Sequence, residues 1–168
     1  ALRCTETEAL EFVRDFRLDP AFAELARAAL ASGDAVCVVS EGFDFYIGAL
    51  LEREGLAELP VAANRLRFED GRVSPQFPFA ERSCGRCGNC KAAHVADWRA
   101  RGYGTVLIGD GFSDRCAART ADLVLARGSL LEWCMEEGIP ARAAASFAEV
   151  REVTRELEAG RSAARGLA

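Results

Sequence analysis

The sequence predicts an α/β fold with a mainly parallel sheet. Three observations point there. Short apolar runs with little alternation recur at 35–39, 59–63, 105–108 and 122–126, the pattern of strands buried on both faces. Helical patterns lie between them, so strand and helix alternate along the chain. Half of the 168 residues are hydrophobic, enough to build the core of one domain.

The elements follow in order. Thr5-x-x-Glu8 is a capping box, and Leu10, Phe12, Val13 and Phe16 continue it as a short helix near 6–16. Asp19-Pro20 pairs an N-cap with a first-turn proline. Phe22, Leu25, Ala26, Ala29 and Leu30 then trace one helical face over 20–32. The strand 35–39 ends at Ser40-Glu41-Gly42, and a helix follows over about 43–54. After the strand 59–63, Asp70-Gly71 between apolar segments signals a hairpin. Residues 75–90 form a loop rich in Pro, Gly and Cys, and 91–101 is helical. The strand 105–108 leads into the loop Gly109-Asp110-Gly111-Phe112-Ser113-Asp114 and a short helix over 114–119. Beyond the strand 122–126, Ser129-x-x-Glu132 and Ser146-x-x-Glu149 cap two further helices, the last running to about 158.

Charge and composition narrow the function. A net charge of −5 argues against nucleic-acid binding. No apolar run approaches the roughly 20 residues of a membrane span, and no secretory signal opens the chain. Seven cysteines, an odd number, do not suit a disulfide framework and point to a reducing cytoplasm. Of 21 basic residues only one, Lys91, is lysine. In a chain so biased toward arginine, a surviving lysine marks a place where a compact ammonium is needed.

In α/β sheets, function gathers past the carboxyl ends of strands. Ser40-Glu41-Gly42 offers a hydroxyl and backbone amides suited to an anion; an ordinary N-cap is the plainer reading. Asp110 and Asp114 leave a strand on a glycine-bearing loop and could hold Mg²⁺, or Asp114 could cap the next helix. Lys91 opens a helix, where a cation opposes the macrodipole, so its position calls for a reason; a solvated surface lysine is the other reading. Asn64 ends a strand, as a substrate contact or a turn residue. Together these residues make a phosphoryl-transfer set without a nucleophile.

Cys84-x2-Cys87-x2-Cys90-x3-His94 includes the single histidine. Three thiolates and an imidazole can form a structural tetrahedral Zn²⁺ site; reduced thiols in a loop are the other reading. Cys4, Cys37, Cys116 and Cys134 read as ordinary buried or half-buried cysteines.

The segments 38–47, 63–66, 87–91 and 108–114, carrying Ser40, Asn64, Lys91, Asp110 and Asp114, resemble the haloacid dehalogenase (HAD) superfamily. The nearest branch is phosphoserine-phosphatase-like, and within it the methionine-salvage phosphatases acting on 2-hydroxy-3-keto-5-methylthiopentenyl-1-phosphate. The resemblance covers about 18–150. It implies a Rossmann-like core and a small phosphorylated substrate. Ser40 would bind the phosphoryl group with the amides near Glu41 and Gly42. Lys91 would steady the nucleophile and the phosphoryl charge. Asp110 would ligate Mg²⁺, with Asp114 as its partner.

The family opens on Asp-x-Asp-Gly-Thr, whose first aspartate is the nucleophile, and these 168 residues contain no such motif. The resemblance therefore implies that the motif I strand and most of the helical cap are missing. Residues 1–17 would be a cap remnant and 18–168 the core domain. The expected protein is a Mg²⁺-dependent phosphomonoesterase acting through an aspartyl-phosphate, of which this fragment alone is inactive. The alternative is a non-catalytic pseudophosphatase or a zinc-stabilised metabolite-binding domain.

Overall fold

The computed structural model of the chain describes residues 3–82 and 84–165. The first half contains α1 (Glu6–Phe12), α2 (Pro20–Ala31), β1 (Val38–Phe43), α3 (Asp44–Arg53), β2 (Val61–Glu69) and β3 (Arg72–Gln76). The second contains α4 (Lys91–Ala100), β4 (Val106–Gly109), α5 (Arg115–Ala118), β5 (Leu123–Ala126), α6 (Gly128–Glu136), β6 (Arg142–Ala143) and α7 (Phe147–Arg165). No helix among the described residues is long and apolar enough to cross a membrane.

The strands form two three-stranded sheets, ordered β1-β2-β3 and β4-β5-β6. All pairs are parallel except the β2–β3 hairpin. Its turn places Asp70 and Gly71 both at positive φ, 49° and 68°, the geometry that Asp-Gly favours in a two-residue connection. The short β6, which the sequence pattern did not disclose, adds to the edge of β5 through Arg142 and Ala143.

Several boundaries move. The first strand starts at Val38 rather than 35 and continues through Ser40-Glu41-Gly42 to Phe43. The next runs to Glu69, because Leu66–Glu69 pair with β3. Helix α6 has no side-chain cap from Ser129; its N-cap is Arg127. Helix α7 continues past 158 to Arg165, through a segment rich in the helix formers Ala and Arg.

Three apolar clusters hold these elements. Ala23, Ala26, Ile47, Leu51, Leu56, Leu59 and Ala63 join α2 and α3 to the first sheet. Leu25, on the same helix α2, packs with Leu125, Ala144, Val150 and Val153 of the second half. Phe22 adds an edge-to-face contact with Phe147 at 5.4 Å. Ala118, Val124, Ala126, Leu130 and Cys134 pack α5 and α6 on β5, with Leu107 of β4 against them. One helix thus serves both sheets.

The expectation that β4 is buried on both faces is corrected. Val106 and Ile108 are 45% and 41% exposed. Leu107 faces the packed side, and period-two alternation turns its neighbours outward. The apolar side chains expected on the first helix divide: Val13 is buried, whereas Phe12 and Phe16 meet edge-to-face at 5.9 Å and remain exposed.

Because Leu25 carries α2 onto the second sheet, Leu25→Ala is expected to cost about 2–5 kcal/mol, measured by urea unfolding.

Candidate functional site

The arrangement starts with a break in a ladder. Val39 lies opposite Ala62, and Phe43 opposite Asn64. Four residues of advance on β1 therefore match two on β2, so Ser40-Glu41-Gly42 bulges out of register. Bulges re-aim side chains at strand ends. The Gly42 N–H donates to Ser40 Oγ at 3.0 Å, which leaves the hydroxyl proton of Ser40 to donate elsewhere. An added Cβ at Gly42 would fall 1.8 Å from Tyr46 Oη. Glycine lets this ring close over the bulge.

Two asparagines tie the bulge to its surroundings. Asn64 Nδ2 donates to the Glu41 carbonyl at 2.7 Å, while its buried Oδ1 has no partner among the described residues. Asn89 is fully buried, and its Nδ2 donates to the carbonyls of Ser40 (3.0 Å) and Ala62 (2.8 Å). The Gly88 N–H donates to Glu41 Oε1 at 3.1 Å. The cysteine-rich loop is thereby docked on the ends of β1 and β2, immediately before Lys91.

Lys91 reaches across to the loop after β4. Its ammonium donates to the Asp114 carboxylate and lies 3.3 Å from Ser113 Oγ. Asp114 is 2% exposed. Its second oxygen accepts the backbone N–H groups of Asp110 and Gly111 at 3.0 and 3.1 Å. A buried carboxylate of this kind is tolerable only when paired and hydrogen-bonded. Asp110 instead is solvent-facing, 3.6 Å from the Arg127 guanidinium. Ser129 Oγ and Leu130 N–H both donate to the Asp110 carbonyl, at 3.3 and 3.2 Å. The loop is therefore held on two sides. A cleft of about 90 Å³ opens beside Asp110 and Arg127, floored by Leu125 and Ala144.

The structure thus brings Lys91, Asp110 and Asp114 to one place, with Ser40, Glu41, Gly42 and Asn64 linked to it through Asn89. Asn89 and Arg127 were not singled out from the sequence. Asn89 is one of two asparagines in the chain, a signal of the same kind as the single lysine. Arg127 is one arginine among twenty and carried none.

The expected set Cys84, Cys87, Cys90 and His94 is not assembled. His94 Nε2 bonds Asn89 Oδ1 at 2.7 Å, and its ring packs edge-on against Phe79. Helix α4 turns the imidazole toward the buried asparagine and away from the thiols. The sulfurs of Cys84 and Cys90 gather with that of Cys116 instead, all within 4.8 Å of one another. Cys116 is half-buried, as expected, but stands in this group of thiols. Cys87 Sγ lies 3.7 Å from Cys84 Sγ. The backbone amide of Arg86 and the neighbouring thiol of Cys87 hold the Cys84 thiol down at about 7. Burial pushes Cys87 up to about 12.

Two predictions follow from this packing. A Cβ at Gly109 would stand 2.6 Å from Asp114 Cγ, so Gly109→Ala should displace the buried carboxylate and cost about 1–3 kcal/mol, read by chemical denaturation. His94 is pushed below its ordinary 6.5 by burial and then by the Arg82 charge, with Asp97 opposing. The unfolded chain then binds the proton more readily. This contribution to stability is full above pH 6.5 and declines as pH falls through it. Asp97 and Asp122 are held below their ordinary 3.8 by hydrogen bonds from Arg82 and Thr105 respectively, and lose their contribution only in stronger acid. Unfolding curves across pH 7.5 to 5, chosen as about one unit either side of the histidine range, should show a decline that His94→Gln lessens below pH 6.5, while the Cys84 thiol, held at about 7, adds to the decline at the upper end.

Comparison with known proteins places the chain. A family model described as haloacid dehalogenase-like hydrolase matches residues 1–119. The 2-hydroxy-3-keto-5-methylthiopentenyl-1-phosphate phosphatase of Geobacillus kaustophilus is 33% identical over 156 residues, covering 90% of this chain and 70% of that protein. The protein of the same name from Brevibacillus brevis is 27% identical over 148 residues, covering 87% of this chain and 67% of that one. The solved phosphoserine phosphatase from T. onnurineus shares the fold, with a TM-score of 0.63 at 20% identity over 90% of this chain and 66% of that one. The chain spans about two thirds of the length of these relatives. With most of its length matched by the family model, and a third of its residues shared with one relative over nearly all of it, the chain belongs to the haloacid dehalogenase-like hydrolases.

Proposed function

We propose that these residues form the core part of a Mg²⁺-dependent phosphomonoesterase acting on a small phosphorylated metabolite. The substrate assigned is 2-hydroxy-3-keto-5-methylthiopentenyl-1-phosphate, the compound named in both relatives. Residues 1–17 would close a helical cap and 18–168 form the core. The observation that carries the reading is the Lys91–Asp114 pair on the loop after β4, joined through Asn89 to the Ser40 bulge.

In this reading Ser40 donates its free hydroxyl proton to a phosphoryl oxygen, beside the amides of the bulge. Lys91 offsets charge on the transferring group, and Asp114 fixes where the ammonium sits. The donor set suits a hard cation: Asp110 presents an exposed carboxylate, whereas both oxygens of Asp114 are already engaged. Bound Mg²⁺ would supply charge stabilisation at the phosphoryl oxygens, with Asp110 as its ligand from this chain. The nucleophile is the first aspartate of the family's Asp-x-Asp-Gly-Thr, absent from these 168 residues. That carboxylate would attack phosphorus while the motif's second aspartate, as general acid, protonates the departing oxygen to release the alcohol; the same aspartate, now a base, would take a proton from the water that cleaves the acyl-phosphate and frees the carboxylate and phosphate.

Two features support a further central strand between the sheets. Among the described residues, β1 and β4 each pair on one side only. The apolar Val106 and Ile108 of β4 stand exposed. Seven cysteines, an odd number, fit a reducing, cytoplasmic setting.

The 168-residue chain alone should show no Mg²⁺-dependent phosphate release from the assigned substrate or from p-nitrophenyl phosphate. Supplied with the segment bearing the Asp-x-Asp-Gly-Thr aspartate, it should turn over. In that protein Lys91→Arg should lower kcat by about 100-fold, because the planar guanidinium cannot occupy the place of the ammonium beside Asp114. Turnover by the 168 residues alone, or full activity of Lys91→Arg, would overturn the reading.

A further inference from the structure

The thiols around Cys84 have no part in the phosphatase reading. Cys84 and Cys90 come from the loop before α4, while Cys116 comes from α5, 26 residues beyond Cys90 in sequence. Their sulfurs nevertheless lie within 4.8 Å of one another. Cys84 Sγ is 3.8 Å from Cys116 Sγ and 3.7 Å from Cys87 Sγ. A tetrahedral zinc ion with Zn–S bonds of about 2.3 Å sets its sulfurs about 3.8 Å apart. A disulfide would need about 2.05 Å, far shorter than these separations. Simple core packing of cysteine as a small hydrophobe does not account for the cluster, because Cys84 is exposed at its outer edge. The loop also has the backbone such a site needs: Gly85 adopts a φ of 81°, turning the chain between Cys84 and Cys87.

We propose that Cys84, Cys87, Cys90 and Cys116 bind one Zn²⁺ ion in a closed, structural site. Cys116 takes the place that spacing alone would assign to His94, whose Nε2 is committed to Asn89. The consequence is mechanical. Cys90 immediately precedes Lys91, and Cys116 lies two residues after Asp114. The ion ties the start of α4 to the start of α5 and so braces the contact between Lys91 and Asp114 from outside. The four thiols carry this site whether or not the phosphatase reading holds.

The test uses the whole chain and the metal alone. Reduced, metal-free protein is titrated with Zn²⁺, and with Co²⁺ as a spectroscopic probe. One zinc per chain and thiolate-to-cobalt charge-transfer absorption are expected. Cys116→Ser should weaken zinc binding at least about tenfold, a tenfold change being worth about 1.4 kcal/mol, while His94→Gln should leave it unchanged. A readout on the unaltered protein covers variants that fail to fold. Zinc should protect Cys84, Cys87, Cys90 and Cys116 from alkylation, mapped by peptide mass spectrometry, and leave Cys4 and Cys37 as reactive as before. Absence of stoichiometric zinc, a Cys84–Cys87 disulfide in its place, an iron–sulfur chromophore, or equal loss in His94→Gln and Cys116→Ser would each overturn the proposal.

Discussion

The carboxylate of Asp114 is the constraint on which the rest of the site depends. It is buried at the end of β4, where an ionised group is costly unless every lone pair is used. One oxygen takes the Lys91 ammonium and the other takes two backbone N–H groups from its own loop. These contacts close the turn from Gly109 to Asp114 and force a glycine at its start, since a Cβ there would overlap the carboxyl group. They also explain how lysine is held at the first position of a helix, against the macrodipole. The nearby anion overrides a term worth only about 0.3–1 kcal/mol.

A second buried polar group carries this order to the first sheet. Asn89 spends its amide protons on the Ser40 and Ala62 carbonyls and its oxygen on His94. The carbonyl of Ser40 lies where the β1–β2 ladder slips out of register, so the asparagine satisfies an acceptor that the ladder leaves open. Lys91 and Ser40 are thus positioned by one loop. The bulge aims Ser40, Asn89 holds the bulge, and Lys91 follows two residues later. A hydroxyl from a strand and an ammonium from a helix are thus held by the same stretch of loop.

The two sheets are connected mainly by α2, which places Ala23 and Ala26 in one core and Leu25 in the other. That helix was legible in the sequence from its 3.6-residue period and its Asp19-Pro20 start. The hairpin at Asp70-Gly71 was equally legible, because positive φ at two successive residues demands a specific dipeptide. The short β6 was not. Arg142 and Ala143 have no strand pattern, and only the exposed edge of β5 recruits them.

For the site, the sequence by itself determined the residues that stand out against an arginine- and alanine-rich background: one lysine, the asparagine at 64, and aspartates after an apolar strand. Local order and rarity suffice for those, since they depend on neighbours along the chain. Which groups meet was decided by tertiary structure. The spacing Cys84-x2-Cys87-x2-Cys90-x3-His94 suggested a set that includes the imidazole, yet the helical phase of α4 turns His94 inward to Asn89, while the packing of α5 against α4 brings in Cys116. A contact between residues 84 and 116 leaves no periodic trace in a sequence, because it arises from how two helices pack and not from the local geometry of either.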